Sequence, residues 1–174
     1  MTRRTTRALA GAMLAAALTP AIATSTPTPT IDVPSSARYG TLEIPMNLAV
    51  AMGLNCNLTN TGLACYKSEV EALGALVDTT GLTAAASCTP AMSLYDATSF
   101  TGASVNITLQ SVWVNLSGLG FDNRTSSWRT GCAGGYLADG TGGAGTRIGM
   151  AAGGQQSSLG TFNNLASSAL RCPC

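Results

Sequence analysis

The chain has 174 residues, with nine Lys and Arg against eight Asp and Glu, and no His. Charged residues make up 10% and hydrophobic ones 45%, too little charge and too much apolar mass for a disordered polyampholyte. A nucleic-acid binder shows a basic patch, and here three of the nine cations sit in the first seven residues; without His there is no Ser–His or Cys–His nucleophile pair and no His-ligated zinc.

Arg3, Arg4 and Arg7 form a positive stretch, residues 8–18 an apolar run, and Ala21-Ile22-Ala23 a small-residue cleavage site after Pro20. This is the pattern of a secretory signal peptide over 1–23. As a membrane anchor the run is too short and is broken by Pro20. The expectation is a secreted, extracellular chain starting near Thr24, with no membrane or nucleic-acid partner once the signal is removed. All six Cys (Cys56, Cys65, Cys88, Cys132, Cys172, Cys174) fall after that point. An even count in an exported chain points to disulfides, for which six cysteines allow 15 pairings. Cys56–Cys65 would close a short local loop, and Cys88–Cys132 is a plausible second bridge. Cys172 and Cys174 are too close for an ordinary bridge with each other.

Residues 24–30 are rich in Ser, Thr and Pro and read as a tether. Residues 31–87 form a second segment, so 24–87 is expected to be a tether and a short helical stretch. Ser68-Glu69-Val70-Glu71 is a capping box, and Val70, Leu73 and Val77 follow at helical spacing, which predicts a helix over 69–77. From Cys88 onward the period becomes 2. Val105, Ile107 and Leu109 alternate with Asn106, Thr108 and Gln110, and Val112, Val114 and Leu116 alternate similarly. These are half-buried strands joined by Gly- and Ser-rich turns, the pattern of an all-β sandwich.

A shift of 41 residues superposes landmarks without a gap. Tyr95 falls on Tyr136, Gly102 on Gly143, Ile107 on Ile148, Leu109 on Met150 and Phe121 on Phe162. Asp122-Asn123-Arg124-Thr125-Ser126-Ser127 falls on Asn163-Asn164-Leu165-Ala166-Ser167-Ser168. Two repeats are too few for a solenoid and suit a pair of Greek keys.

The repeats resemble the βγ-crystallin family, whose motif is an aromatic, four residues, a second aromatic, one residue and Gly. Tyr95-Asp96-Ala97-Thr98-Ser99-Phe100-Thr101-Gly102 fits it fully. Tyr136-Leu137-Ala138-Asp139-Gly140-Thr141-Gly142-Gly143 fits except that Thr141 replaces the second aromatic, which predicts a less well packed corner. Both hexapeptides also match [Asn/Asp]-[Asn/Asp]-x-x-[Ser/Thr]-Ser, carried by the family's microbial calcium-binding branch. The resemblance covers residues 88–174. It implies an all-β fold, two Greek-key motifs (about 91–130 and 132–171) forming one βγ-crystallin-like sandwich, preceded by a short segment with one helix.

The resemblance further implies two Ca²⁺ sites, each hexapeptide serving both. Asp122, Asn123 and Ser126 would donate from one clamp, and Asn163, Asn164 and Ser167 from the other. The carbonyls of Arg124 and Leu165 would add ligands, and the hairpin around Asp96 would complete a site. Ser127 and Ser168 would instead bond the folded-over hairpins. Such turns supply the oxygen donors a hard cation takes. Asp122 is the only carboxylate in the two hexapeptides and Arg124 adds a nearby positive charge, so weak sites are expected, with dissociation constants on the order of 10⁻⁵–10⁻³ M. The bland alternative is that both runs are only Asx turns.

Other features point less far. Trp113 and Trp128 read as packing residues. Lys67-Ser68 is better explained by capping than as a nucleophile pair. Asp96 and Asp139, at different offsets within the 41-residue repeat, do not read as a paired-carboxylate site. The expected function is a monomeric, calcium-binding, noncatalytic protein. The chain is also similar to secreted bacterial metalloproteinase inhibitors of crystallin-like fold, which makes an extracellular protease the alternative partner.

Overall fold

The computed structural model describes residues 27–31, 33–80 and 88–172. The signal peptide expected over 1–23, residues 24–26 of the tether, and Cys174 lie outside them. In chain order the elements are β1 (Thr30–Ile31), β2 (Ser36–Tyr39), β3 (Leu42–Pro45), α1 (Met46–Ala51), β4 (Asn55–Thr59), β5 (Gly62–Tyr66), α2 (Glu69–Thr80), β6 (Met92–Tyr95), β7 (Ser104–Ile107), β8 (Trp113–Asn115), β9 (Ser127–Thr130), β10 (Gly135–Ala138), β11 (Arg147–Met150), β12 (Gln155–Gln156) and β13 (Ser168–Arg171). Among the described residues no helix is long and apolar enough to cross a membrane.

The fold is mostly β. Its C-terminal half is a pair of Greek keys that exchange their third strands. β6, β7 and β9 lie in one sheet while β8 crosses to the other; β10, β11 and β13 lie in that other sheet while β12 crosses back to pair with β9. Each motif therefore completes its neighbour's sheet, so the two halves share one core. Leu94 against Val105 and Met92 against Ile107 face it from the first sheet. Leu137, Val114 and Ala169 face it from the second.

The N-terminal segment holds more than the single helix expected there. β4 pairs in parallel with β7, and β5, β2 and β3 follow, so the first sheet has the order β12-β9-β6-β7-β4-β5-β2-β3. β4 and β5 form a hairpin around Asn60-Thr61 that places Cys56 directly opposite Cys65, and the two are bonded. Cys88–Cys132 is the second bridge, tying the entry of β6 to the turn after β9. Both expected pairings are present.

α2 starts where its cap predicts: Ser68 Oγ accepts the Glu71 N–H at 3.2 Å, and Glu71 reaches back to the Lys67 N–H at 3.2 Å. Its buried face is not the expected one. Val70 is 82% exposed, while Ala72 and Leu76 are buried. The reason lies beneath the helix, on the outer face of the first sheet. There Ser93 donates to Asn106 Oδ1 (2.6 Å), Asn106 donates to Asn57 Oδ1 (2.9 Å), and Asn57 donates to the Ala72 carbonyl of α2 (2.6 Å). Small Ala72 lets the helix backbone come close enough to accept that last bond. Tyr95, buried on the same face, donates to Glu69 at 2.5 Å, and Arg129 lies 3.4 Å from the same carboxylate. The polar residues of β6 and β7 are thus buried as well as the apolar ones, not half-exposed as alternation predicted. Each bond left unmade in this ladder would cost about 1–3 kcal/mol, because the groups are buried from solvent.

Candidate metal site

The site is built on two hairpins. In the first, the Asp96 N–H bonds the Ala103 carbonyl at 3.1 Å, and the turn passes through Ser99 (φ 57°), Phe100 (φ 62°) and Gly102 (φ 80°). In the second, the Asp139 N–H bonds the Thr146 carbonyl at 3.1 Å, and the turn passes through Gly142 (φ 62°), Gly143 (φ 80°) and Gly145 (φ 75°). Ser127 Oγ donates to the Ala97 carbonyl (2.6 Å) and accepts from the Phe100 N–H (3.0 Å). Ser168 Oγ donates to the Gly140 carbonyl (2.5 Å) and accepts from the Gly143 N–H (3.0 Å). Both serines hold the folded-over hairpins, as expected.

These matched bonds correct the repeat. Asp96 is equivalent to Asp139, Phe100 to Gly143 and Gly102 to Gly145, a shift of 43 residues for the hairpins, whereas the clamps keep the shift of 41. The difference falls between Leu116, which bonds the Ser167 carbonyl as Leu159 bonds that of Ser126, and Phe121, the counterpart of Phe162. Tyr136 is therefore not the counterpart of Tyr95. It is 43% exposed, and Ala138 occupies Tyr95's place. The second corner has Gly143 where the first has Phe100, not Thr141 in an aromatic's place. It is not poorly packed, because the Trp113 indole fills the space a Cβ at Gly143 would enter. In both hairpins a Cβ on the last glycine would collide with the carboxylate of the aspartate, Asp96 or Asp139.

The two clamps are paired backbone to backbone. The Asn123 N–H bonds the Ala166 carbonyl (2.9 Å) and the Asn164 N–H bonds the Thr125 carbonyl (3.0 Å). Asn123 (φ 54°) and Asn164 (φ 57°) take the left-handed conformation that asparagine tolerates. Each clamp also hangs on its hairpin, Ser126 N–H on the Tyr95 carbonyl and Ser167 N–H on the Ala138 carbonyl, both at 2.8 Å.

Four of the expected ligand residues meet. The buried Ser126 hydroxyl lies 3.1 Å from the Asp96 carbonyl, 3.5 Å from the Arg124 carbonyl and 3.1 Å from Asn164 Oδ1 of the opposite clamp. A hydroxyl has one proton to give, and three oxygens face it, so acceptors are in surplus. Asn163 Oδ1, in the second clamp, is buried without a hydrogen-bond partner. Asp122 and Asn123 are exposed and bond each other (Asn123 Nδ2 to Asp122 Oδ2, 3.3 Å). Leu165 and Ser167 occupy the places in the second clamp that Arg124 and Ser126 hold in the first. Asp139, which the 41-residue shift set apart, stands in the place of Asp96. Among the described residues no three His, Cys, Asp or Glu gather; the donors here are carbonyls, an amide and a hydroxyl. Oxygen alone, in surplus over protons, fits a hard cation such as Ca²⁺.

No protein-family model and no curated protein sequence matches the chain. Solved structures similar to it include the N-terminal domain of protein S (23% identity, TM-score 0.42, 47% of this chain and 93% of that one). Others are a βγ-crystallin from Ciona intestinalis (20%, 0.41, 47% and 98%) and a βγ-crystallin domain from Clostridium beijerinckii (16%, 0.42, 48% and 99%). By its strand order, the C-terminal half of this chain has the βγ-crystallin fold. The likeness is one of fold across about half the chain, and the chemistry of the site is read from its own residues.

Proposed function

We propose that this is an exported calcium-binding protein whose ions sit between the paired clamps of residues 88–174 and stabilise the fold without catalysis. The reading is carried by the Ser126 hydroxyl, on which the Asp96 and Arg124 carbonyls and Asn164 Oδ1 converge from two clamps and a hairpin. Bound there, Ca²⁺ would satisfy those oxygens at once. Asp96, Arg124, Ser126 and Asn164 would hold one ion, and Asp139, Leu165, Ser167 and Asn123 the equivalent one. Two disulfides support an oxidising, extracellular setting.

An ion linking both Greek keys binds the folded chain and not the unfolded one. At about 100 times its dissociation constant it adds about 2.7 kcal/mol per site, a sizeable share of the roughly 5–15 kcal/mol typical of a domain. Chelated protein given millimolar CaCl₂ is therefore expected to melt several degrees higher. The Ser126→Ala, Ser167→Ala double variant is expected to lose most of that shift. An unchanged melt in the parent chain, or a double variant that responds as the parent does, would contradict the assignment.

A further inference from the structure

We propose that Arg124 sets the order in which the two halves take up a divalent cation, the half built on Asp139 and Leu165 filling first and the half built on Asp96 and Arg124 second. This rests on the calcium reading above and adds a difference between the halves.

The backbones of the halves match: the two clamp-to-hairpin bonds are both 2.8 Å, and the two hairpin-closing bonds both 3.1 Å. Their charges do not match. In the first half the Arg124 guanidinium lies 2.9 Å from the Asp96 carboxylate. The carbonyls of these same two residues face Ser126 Oγ. The Asp96 carboxylate is thereby neutralised by a charge fixed to a residue whose carbonyl would be a ligand, while Asp122, the other carboxylate of this clamp, is exposed and bonds Asn123, a residue of the other half's ligand set. In the second half, Asp139 Oδ1 accepts the Thr146 N–H at 2.7 Å, a neutral donor. The residue in the place of Arg124 is Leu165, which carries no charge. Asp139 makes no ion pair among the described residues; Arg147, the cation of that hairpin, instead donates to the Gly143 carbonyl and lies over the Trp113 ring.

A dication and a guanidinium about 6 Å apart in a water-like dielectric repel enough to weaken binding roughly tenfold, and physiological salt reduces this to roughly threefold. Both substitutions that test the idea keep the backbone carbonyl. Arg124→Leu removes the guanidinium, and Leu165→Arg, at a side chain 44% exposed, introduces one in the other half.

The experiment is calorimetric titration of CaCl₂ into the full chain and each variant, at low and at high NaCl. The parent is expected to show a tighter and a weaker step. Arg124→Leu is expected to tighten the weaker step about three- to tenfold, more at low salt than at high, and Leu165→Arg to weaken the tighter step by a similar factor. Calcium binding that neither substitution alters would overturn the inference and leave the calcium reading standing. No binding by any of the three chains would overturn the calcium reading and the inference with it.

Discussion

Tyr95→Phe tests how α2 is held to the sheet. The phenol is buried, 1% exposed, and donates to Glu69 at 2.5 Å. Burial first, and then the hydrogen bond and negative charge of Glu69, push its pKa up from 10.0 to about 12. Near pH 7 the variant loses a hydrogen bond to a charged group, worth about 1.5–3 kcal/mol. Glu69 is 31% exposed and rehydrates in part, so the expected loss is about 1–2 kcal/mol. At alkaline pH the difference changes. The unfolded chain releases the phenolic proton near pH 10 and the folded chain holds it to about 12, so the folded state binds more protons over that window and stability falls as pH rises. At about 1.4 kcal/mol per pH unit the parent loses up to about 2.7 kcal/mol that the phenylalanine variant does not. Urea unfolding of both chains from pH 7 to 11.5 reads this directly. The stability gap is expected to hold up to about pH 10, close above it, and reverse toward pH 12. A gap constant across the range would refute the buried phenol–carboxylate contact as the anchor of α2.

Ser99→Gly is expected to stabilise the chain by about 0.5–1 kcal/mol in the same assay, because Ser99 sits at φ 57° where glycine is unstrained. Phe100→Gly relieves a similar strain at φ 62° but is expected to destabilise, since the Arg129 guanidinium stacks 4.0 Å from the Phe100 ring centroid. Asn106→Ala is expected to cost about 2–4 kcal/mol, because it strands the buried Ser93 hydroxyl and Asn57 Oδ1; a loss below about 1 kcal/mol in urea unfolding would show that water reaches the ladder.

Much of the C-terminal half was legible because it obeys local rules. Period-2 alternation marked β7 and β8, the paired hexapeptides marked the clamps, and Ser68 with Glu71 marked the start of α2. The failures have physical causes. The counterparts Leu94-x-Asp96-x-Thr98 and Leu137-x-Asp139-x-Thr141 were present in the sequence. The chance alignment of Tyr95 with Tyr136 pointed to another register, and a two-residue length difference before Phe121 hid the change of shift. β2 to β5 are hard to see in the sequence because their polar outward residues resemble loop composition; Asn55 and Asn57 find hydrogen-bond partners in Ser104 and Asn106 across the sheet, and Asn57 lies under α2 as well. The buried face of α2 is hidden in the sequence for the same reason. It packs on amides and hydroxyls, so Ala72 and Leu76 are covered while the more hydrophobic-looking Val70 is left in solvent. At the site, a clamp motif shows its residue types but not the crossing of clamps that brings Asn164 to Ser126.

Diffraction from crystals grown with CaCl₂, using the anomalous signal of calcium or of a terbium replacement, would locate the ions. A peak is expected about 2.3–2.6 Å from the Asp96 and Arg124 carbonyls, Ser126 Oγ and Asn164 Oδ1, with a second peak in the equivalent half. Strong ion peaks elsewhere and none between the clamps would contradict it.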